Sequence, residues 1–270
     1  MVVFAGQGDA RRSMALLWRA SEGERGARSA PGPRPGLSVD VIVDAAIAVA
    51  DAEGMAALSM RAVGERLGRT AMALYTYVPG KAELVDLMYD RALAELPTRY
   101  DLSVGWRAAV TAWVRDLWDF HLRHPWTLQV SHARPVLGPG WFTMSETMMA
   151  VLRTTGLDAR TLRGLGGTLT HLVRDAARIV AETRLATQET GKGEDEWWYA
   201  HAPQLDELVP DFGARFPTLT WMESQRAFDM DDTETPYLVQ EATEVFEVGL
   251  AIVLDGIEVR IRRAGGDPDH

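Results

Sequence analysis

From residue 38 almost to the C-terminus, apolar side chains recur at three- and four-residue spacing, with breaks at Gly and Pro, and period-two strand signals are nearly absent. That pattern restricts the chain to an all-α fold. At 270 residues and 47% hydrophobic content there is apolar material for one large helical core or two small ones, and disorder throughout is excluded. No internal repeat is visible. Cysteine is absent, which removes disulfides, thiolate catalysis and sulfur-bound zinc, and fits a reducing compartment. No apolar run approaches the roughly 18 residues that span a bilayer, and the first residues lack a signal-peptide pattern. The reading is a soluble, cytoplasmic protein with no membrane partner.

Residues 21–36 end in Ser-Ala-Pro-Gly-Pro-Arg-Pro-Gly, too rich in Pro and Gly for regular structure, and read as a linker. Ahead of it, Met14-Ala-Leu-Leu-Trp18 is either a short helical piece that docks elsewhere or part of a disordered tail. A first long helix is predicted over 39–53, capped by Ser38 and stopped by Gly54. Two short ones follow over 60–67 and 71–77, capped by Ser59 and Thr70 and joined at Gly68. Further helices are predicted over 81–96, 104–123, 140–155 and 158–186. A looser acidic stretch over 188–216 and a short segment over 219–228 then precede a final helix over 236–262.

The formal charge of −10 is unevenly spread. Residues 1–36 hold Arg11, Arg12, Arg19, Arg25, Arg28 and Arg34 against three acids, for +3; residues 37–81 hold −1; the remaining 189 hold −12. An acidic body disfavours nonspecific adhesion to phosphate and leaves any nucleic-acid contact to a few placed cations. Three helices of descending length, the last two joined by a Gly-containing turn, have helix-turn-helix geometry. In it Leu74 and Val78 would face Leu58, Val63 and Leu67, while Thr70, Ala71, Met72, Tyr75 and Thr76 would face outward. On spacing alone an αα-hairpin with no DNA role fits as well.

The run Val41-Ile-Val-Asp-Ala-Ala-Ile-Ala-Val-Ala-Asp-Ala-Glu-Gly54, then Leu58-Ser-Met-Arg61-Ala-Val-Gly-Glu-Arg-Leu-Gly68, then Ala73-Leu-Tyr-Thr-Tyr-Val-Pro-Gly-Lys-Ala-Glu-Leu84, resembles the N-terminal domain of the TetR family of repressors. The resemblance implies a regulator that binds a palindromic operator in double-stranded DNA as a homodimer and is released by a small-molecule inducer. It implies no enzymatic activity and no cofactor, and a place at the nucleoid. It puts Arg61 at a base-reading position, Tyr75 at an operator contact, and Tyr77 and Lys81 at backbone contacts, with Thr70, Ala71 and Met72 at the variable reading positions. The implied domains are a flexible basic arm (1–36), a helix-turn-helix head (37–96) and a ligand-binding and dimerisation domain (97–270). Arg34 and the other arginines before Gly36 would form an arm able to enter the adjacent minor groove.

The final helix carries two apolar stripes: Leu238, Ala242, Val245, Gly249, Ile252 and Gly256, and Phe246, Leu250, Val253, Ile257 and Ile261. One face can serve its own domain and the other a partner. The helix over 158–186 has a similar set in Leu162, Leu165, Leu169, Leu172, Ala176 and Val180, and in the family such a pair meets its symmetry mate in a four-helix bundle. Trp106, Trp113, Trp118, Trp126 and Trp141 form a heavy aromatic load, either core or pocket. His171, Arg174, Asp175 and Arg178 share a polar stripe at i, i+3, i+4 and i+7, either facing a cavity or solvated. The candidate ligand set is therefore Trp113, Trp118, His121, Trp141, His171, Arg174, Asp175 and Arg178, for a largely apolar inducer. A regulator without a ligand, answering to a protein partner, is the alternative. Enzyme chemistry has little support, since His121 and His124 lack a metalloprotease glutamate and the run 164–167 lacks the strand and lysine of a phosphate loop.

Overall fold

The computed structural model describes residues 3–23, 36–230, 232 and 234–265. Among them the helices are α1 (Ala10–Gly23), α2 (Val39–Ala57), α3 (Met60–Leu67), α4 (Ala71–Tyr75) and α5 (Lys81–Leu93). Then come α6 (Trp106–Arg123), α7 (Pro139–Arg153), α8 (Ala159–Thr190), α9 (Glu194–Leu208), α10 (Phe212–Arg215), α11 (Pro217–Ser224) and α12 (Tyr237–Gly265). Single 3-10 turns at Leu102–Val104 and Pro125–Gln129 flank α6. The extended pairing described is one parallel bridge between Val3 and Val130.

These residues pack as two compact units, one drawn from 1–174 and 253–270, the other from 175–252. The division does not fall at residue 97. Asp51 on α2 accepts from the Trp126 indole N–H and pairs with His124, both at 2.8 Å, tying the first helices to the segment after α6.

Within the first unit α5 is the central element, buried on all sides over residues 83–90 and packed on α1, α2 and α7. A helix enclosed all round normally carries only apolar side chains. This one also buries Glu83, Asp86 and Asp90, and burial raises both aspartates, Asp86 to about 6. Such carboxyls persist only with donors. Asp90 accepts from the Trp141 backbone N–H at the start of α7 (2.9 Å), and Asp86 from the Gly6 N–H.

Two expectations need correction. Residues 188–216 are not a loose stretch: α9 and α10 occupy most of it. Their helical signal is masked because α9 buries no side chain and contains Pro203. The arm expected to be flexible from residue 1 is built over 3–23, where α1, capped by the Asp9 carboxylate, packs on α5 and α7. The docking-helix reading of Met14 to Trp18 is the one that fits. Arg25, Arg28 and Arg34 lie outside the described residues.

Candidate nucleic-acid interface and small-molecule site

The head is assembled by local chemistry. Ser38, Ser59 and Thr70 each accept from a backbone N–H three residues on, at 3.2, 3.0 and 3.4 Å, supplying partners that the first turns of α2, α3 and α4 lack. Gly68 takes a left-handed conformation (φ 63°, ψ 38°) and turns the chain from α3 toward α4. The approach is close: a Cβ at Gly64 would lie 2.7 Å from the Arg69 carbonyl oxygen. Leu58, Met60, Val63, Leu74 and Val78 are all buried, so α4 is held by one face.

The other face is open. Thr70, Met72, Tyr75 and Thr76 are exposed, Met72 at 74%, and Ala71 is half-buried beside them. Tyr77 and Lys81 are exposed on the same run, and the Lys81 ammonium reaches the Met55 carbonyl at 3.5 Å. Gly80 gives α5 no side-chain cap, so a phosphate beside Lys81 could meet first-turn N–H groups as well as the ammonium. Arg61 projects from the first turn of α3 with Nε donating to Glu65 at 2.8 Å, a contact that holds its guanidinium above its ordinary pKa. Arg69, exposed directly before the Thr70 cap, is a cation the sequence reading overlooked. Its position ahead of a cap was the available signal.

The aromatic load resolves mainly into core. Trp113, Trp118, His121 and Trp126 are all buried. The Thr127 hydroxyl donates to the His124 carbonyl (2.7 Å), so its oxygen accepts from His121 Nδ1–H (2.8 Å). Burial, reinforced by Arg174, drives the His121 imidazole well below its ordinary pKa and keeps it neutral. His124, also buried, places its ring nitrogens 2.8 Å from Asp51 and 3.0 Å from Glu95. Arg174 donates to the carbonyls of Thr127, Leu128 and Val130 at 3.2 to 3.4 Å, closing the turn after α6.

The polar stripe on α8 is thus divided rather than gathered around a ligand. His171 is exposed, Arg174 binds backbone, and Arg178 is exposed and paired with Asp175 at 3.1 Å. Helical spacing places these four on one side of α8, but Arg174 reaches the carbonyls of the turn after α6 while His171, Asp175 and Arg178 stand exposed.

A cavity of about 210 Å³ does lie in the first unit, lined by Tyr89, Val130, His132, Arg134, Val136 and Trp141 among others. Of the eight candidate ligand residues only Trp141 lines it. The Tyr89 hydroxyl lies 3.1 Å from His132 Nε2, joining α5 to the segment over 130–137. That segment has neither helical period nor motif, which is why the sequence did not single it out.

Residues 42–88 match the family described as bacterial regulatory proteins, tetR family, and residues 101–261 match the tetracyclin repressor-like C-terminal domain. The chain is 36% identical over 264 residues to the HTH-type transcriptional repressor DrrR1 of Streptomyces coeruleorubidus, covering 97% of this chain and 91% of that one. Among solved structures it is similar to apo ActR from Streptomyces coelicolor, with a TM-score of 0.63 at 26% identity over 84% of this chain and 99% of that one. It is also similar to ActR in complex with actinorhodin, with a TM-score of 0.65 at 27% identity over 83% and 96%. With its capped reading helix, open face and two matched domains, the chain belongs to the TetR family of transcriptional regulators.

Proposed function

We propose that this regulator is a repressor that binds a palindromic operator as a homodimer and leaves it when a small molecule binds. The observation that carries the reading is the face of α4, held from behind by buried Leu74 and Val78 while Thr70, Met72, Tyr75 and Thr76 stand exposed. On this reading Arg61 reaches a guanine edge, Tyr75 and the Thr70, Ala71, Met72 and Thr76 group meet bases, and Tyr77 and Lys81 hold phosphates. Arg34 would add a minor-groove contact, testable by changing Arg25, Arg28 and Arg34 together to Gln and measuring the salt dependence of binding. Residues 37–96 act as the reading head and 97–270 as the sensing and dimerising part, working at the nucleoid in the cytoplasm.

The effector reading rests on the cavity beside α5. Its Trp141 and Tyr89 rings with Val130 and Val136 suit a flat, largely apolar molecule, and His132 and Arg134 suit a hydroxyl or acidic substituent. That DrrR1 is named a repressor and that ActR is solved with actinorhodin support this choice. Trp113, Trp118 and His121 would shape the site from the core, and Arg174 would hold the turn that ends in its wall. His171, Asp175 and Arg178 are given no direct ligand contact. A shift of α5, which enters the head at Lys81 and passes the cavity at Tyr89, would change the spacing of the two reading helices, with a coupling of typically about 1–3 kcal/mol.

The test is a panel of aromatic and polycyclic compounds screened by thermal shift, followed by release of bound DNA. A compound that both stabilises the protein and releases DNA, with both effects lost in Trp141→Ala, is the expected result. Stabilisation and release that survive intact in Trp141→Ala would move the effector site elsewhere.

A further inference from the structure

The first residues of the chain do something the reading head and the cavity leave unexplained. Val3 pairs alongside Val130: its N–H donates to the Gln129 carbonyl at 2.9 Å, and the Ser131 N–H donates to the Val3 carbonyl at 2.7 Å. Farther along the segment, the Trp18 indole N–H donates to the Leu137 carbonyl at 3.0 Å, and its ring lies 6.0 Å from that of Phe142. Phe142 in turn meets Trp141 edge-on at 4.9 Å. The two ends of the segment thus hold the two ends of residues 130–137, which supply most of the cavity wall.

The middle of the segment is fastened to α5. The Gly6 N–H donates to both oxygens of the Asp86 carboxylate, at 3.1 and 3.2 Å, and Ala5 is buried. Gly8 passes so close that a Cβ there would lie 2.0 Å from Glu83 Oε1. Ser13 and Leu17 on α1 are buried, yet the Ser13 hydroxyl has no hydrogen-bond partner among the described residues. An unmet buried hydroxyl weakens the docking it belongs to. The cavity, about 210 Å³, is also below the roughly 300 to 1,000 Å³ usual for sites that enclose a drug-sized ligand.

We infer that residues 3–23 are a strap that holds residues 130–137 down over the cavity and fastens them to α5, so that an effector enters by lifting the strap. This rests on the cavity being the effector site. The strap lies ahead of residue 42, where the match to the family's DNA-binding domain begins, and the coverage of 97% shared with DrrR1 leaves too little of this chain out to exclude most of it. The strap therefore gates the proposed effector site with residues outside the matched domains, and selects effectors by how well they displace it.

Two substitutions act in opposite directions. Trp18→Ala removes one tie and should speed amide exchange across 130–137 by about tenfold; Ser13→Ala removes the unmet hydroxyl and should slow it by roughly three- to tenfold. Both are read by hydrogen-deuterium exchange on the full chain. Binding of 8-anilinonaphthalene-1-sulfonate, followed by stopped-flow fluorescence, should show entry rates changing in the same order, with Trp141→Ala abolishing the signal. Exchange over 130–137 that ignores both substitutions overturns the strap. Exchange that responds while dye entry keeps one rate in Trp18→Ala and Ser13→Ala overturns the gate, and dye that binds identically in Trp141→Ala overturns the cavity assignment.

Discussion

At the scale of single residues, two side chains make distinct predictions. Arg61 is exposed and, among the described residues, paired with Glu65 on its own helix, so removing it leaves the fold intact. Arg61→Ala should cost about 1–3 kcal/mol of specific binding and relax base preference at one position per half-site. Sequence selection with the variant checks this, and an unchanged site would remove Arg61 from base reading. Asp86 makes a pH prediction. Its carboxyl is raised to about 6 in the folded chain by burial, and by the charge of Glu83 against the opposing Gly6 hydrogen bond. Between the unfolded value near 4 and the folded value near 6, the folded state keeps a proton that the unfolded chain loses. Stability from this group is therefore present at low pH and lost as pH rises through about 6. Asp86→Asn should flatten that slope, by an amount on the order of 1 kcal/mol after allowance for solvent screening. Urea midpoints of both proteins at pH 5 and pH 7.5 measure it. The caps at Ser38, Ser59 and Thr70 could be read from sequence because their partners lie three residues away. The partners of Asp86 and Asp90 could not, because Gly6 and Trp141 are 80 and 51 residues distant along the chain.

At the scale of elements, the reading helix depends on a small core. Leu74 is fully buried and α4 has only 5 residues, so Leu74→Ala should cost about 2–5 kcal/mol and abolish DNA binding by loosening the helix. Thermal unfolding and operator binding together test this; a variant of full stability would show that α4 is held by its caps instead. Helix positions were legible wherever one face is buried. The predicted 60–67 and the observed Met60–Leu67 coincide because Ser59 caps the start and Gly68 the end. α9 escaped notice for the converse reason, since a helix with no buried residue has no stripe to betray it. The candidate ligand residues divide by the same logic. Trp113, Trp118 and His121, expected as candidate ligand residues, are buried, and whether such an aromatic load encloses space or fills it depends on the opposing elements.

At the scale of the whole molecule, α12 offers a face on which a reading head could be duplicated. Phe246, Leu250, Leu254 and Ile257 are buried, while Val245, Ile252 and Val259, seven residues apart, are exposed, Ile252 at 65%. An exposed apolar row at that spacing suits a symmetric partner helix. Val245→Asp with Ile252→Asp should therefore yield a folded monomer, by sedimentation, that binds an operator at least a hundredfold more weakly for want of the second half-site. A dimer of unchanged affinity would place the interface elsewhere. That α12 would carry two apolar faces was legible in its sequence; which of them meets the chain's own core was set by packing that no periodicity records.

The central claim is that paired, outward-facing α4 helices read a symmetric site in DNA. The most direct measurement is selection of bound duplexes from a random pool by the purified full chain, followed by stoichiometry on the enriched sequence. The account predicts an inverted repeat bound by one or more dimers, with half-sites about one helical turn apart. No enrichment at low salt, or an enriched site without symmetry bound by a single chain, would contradict it.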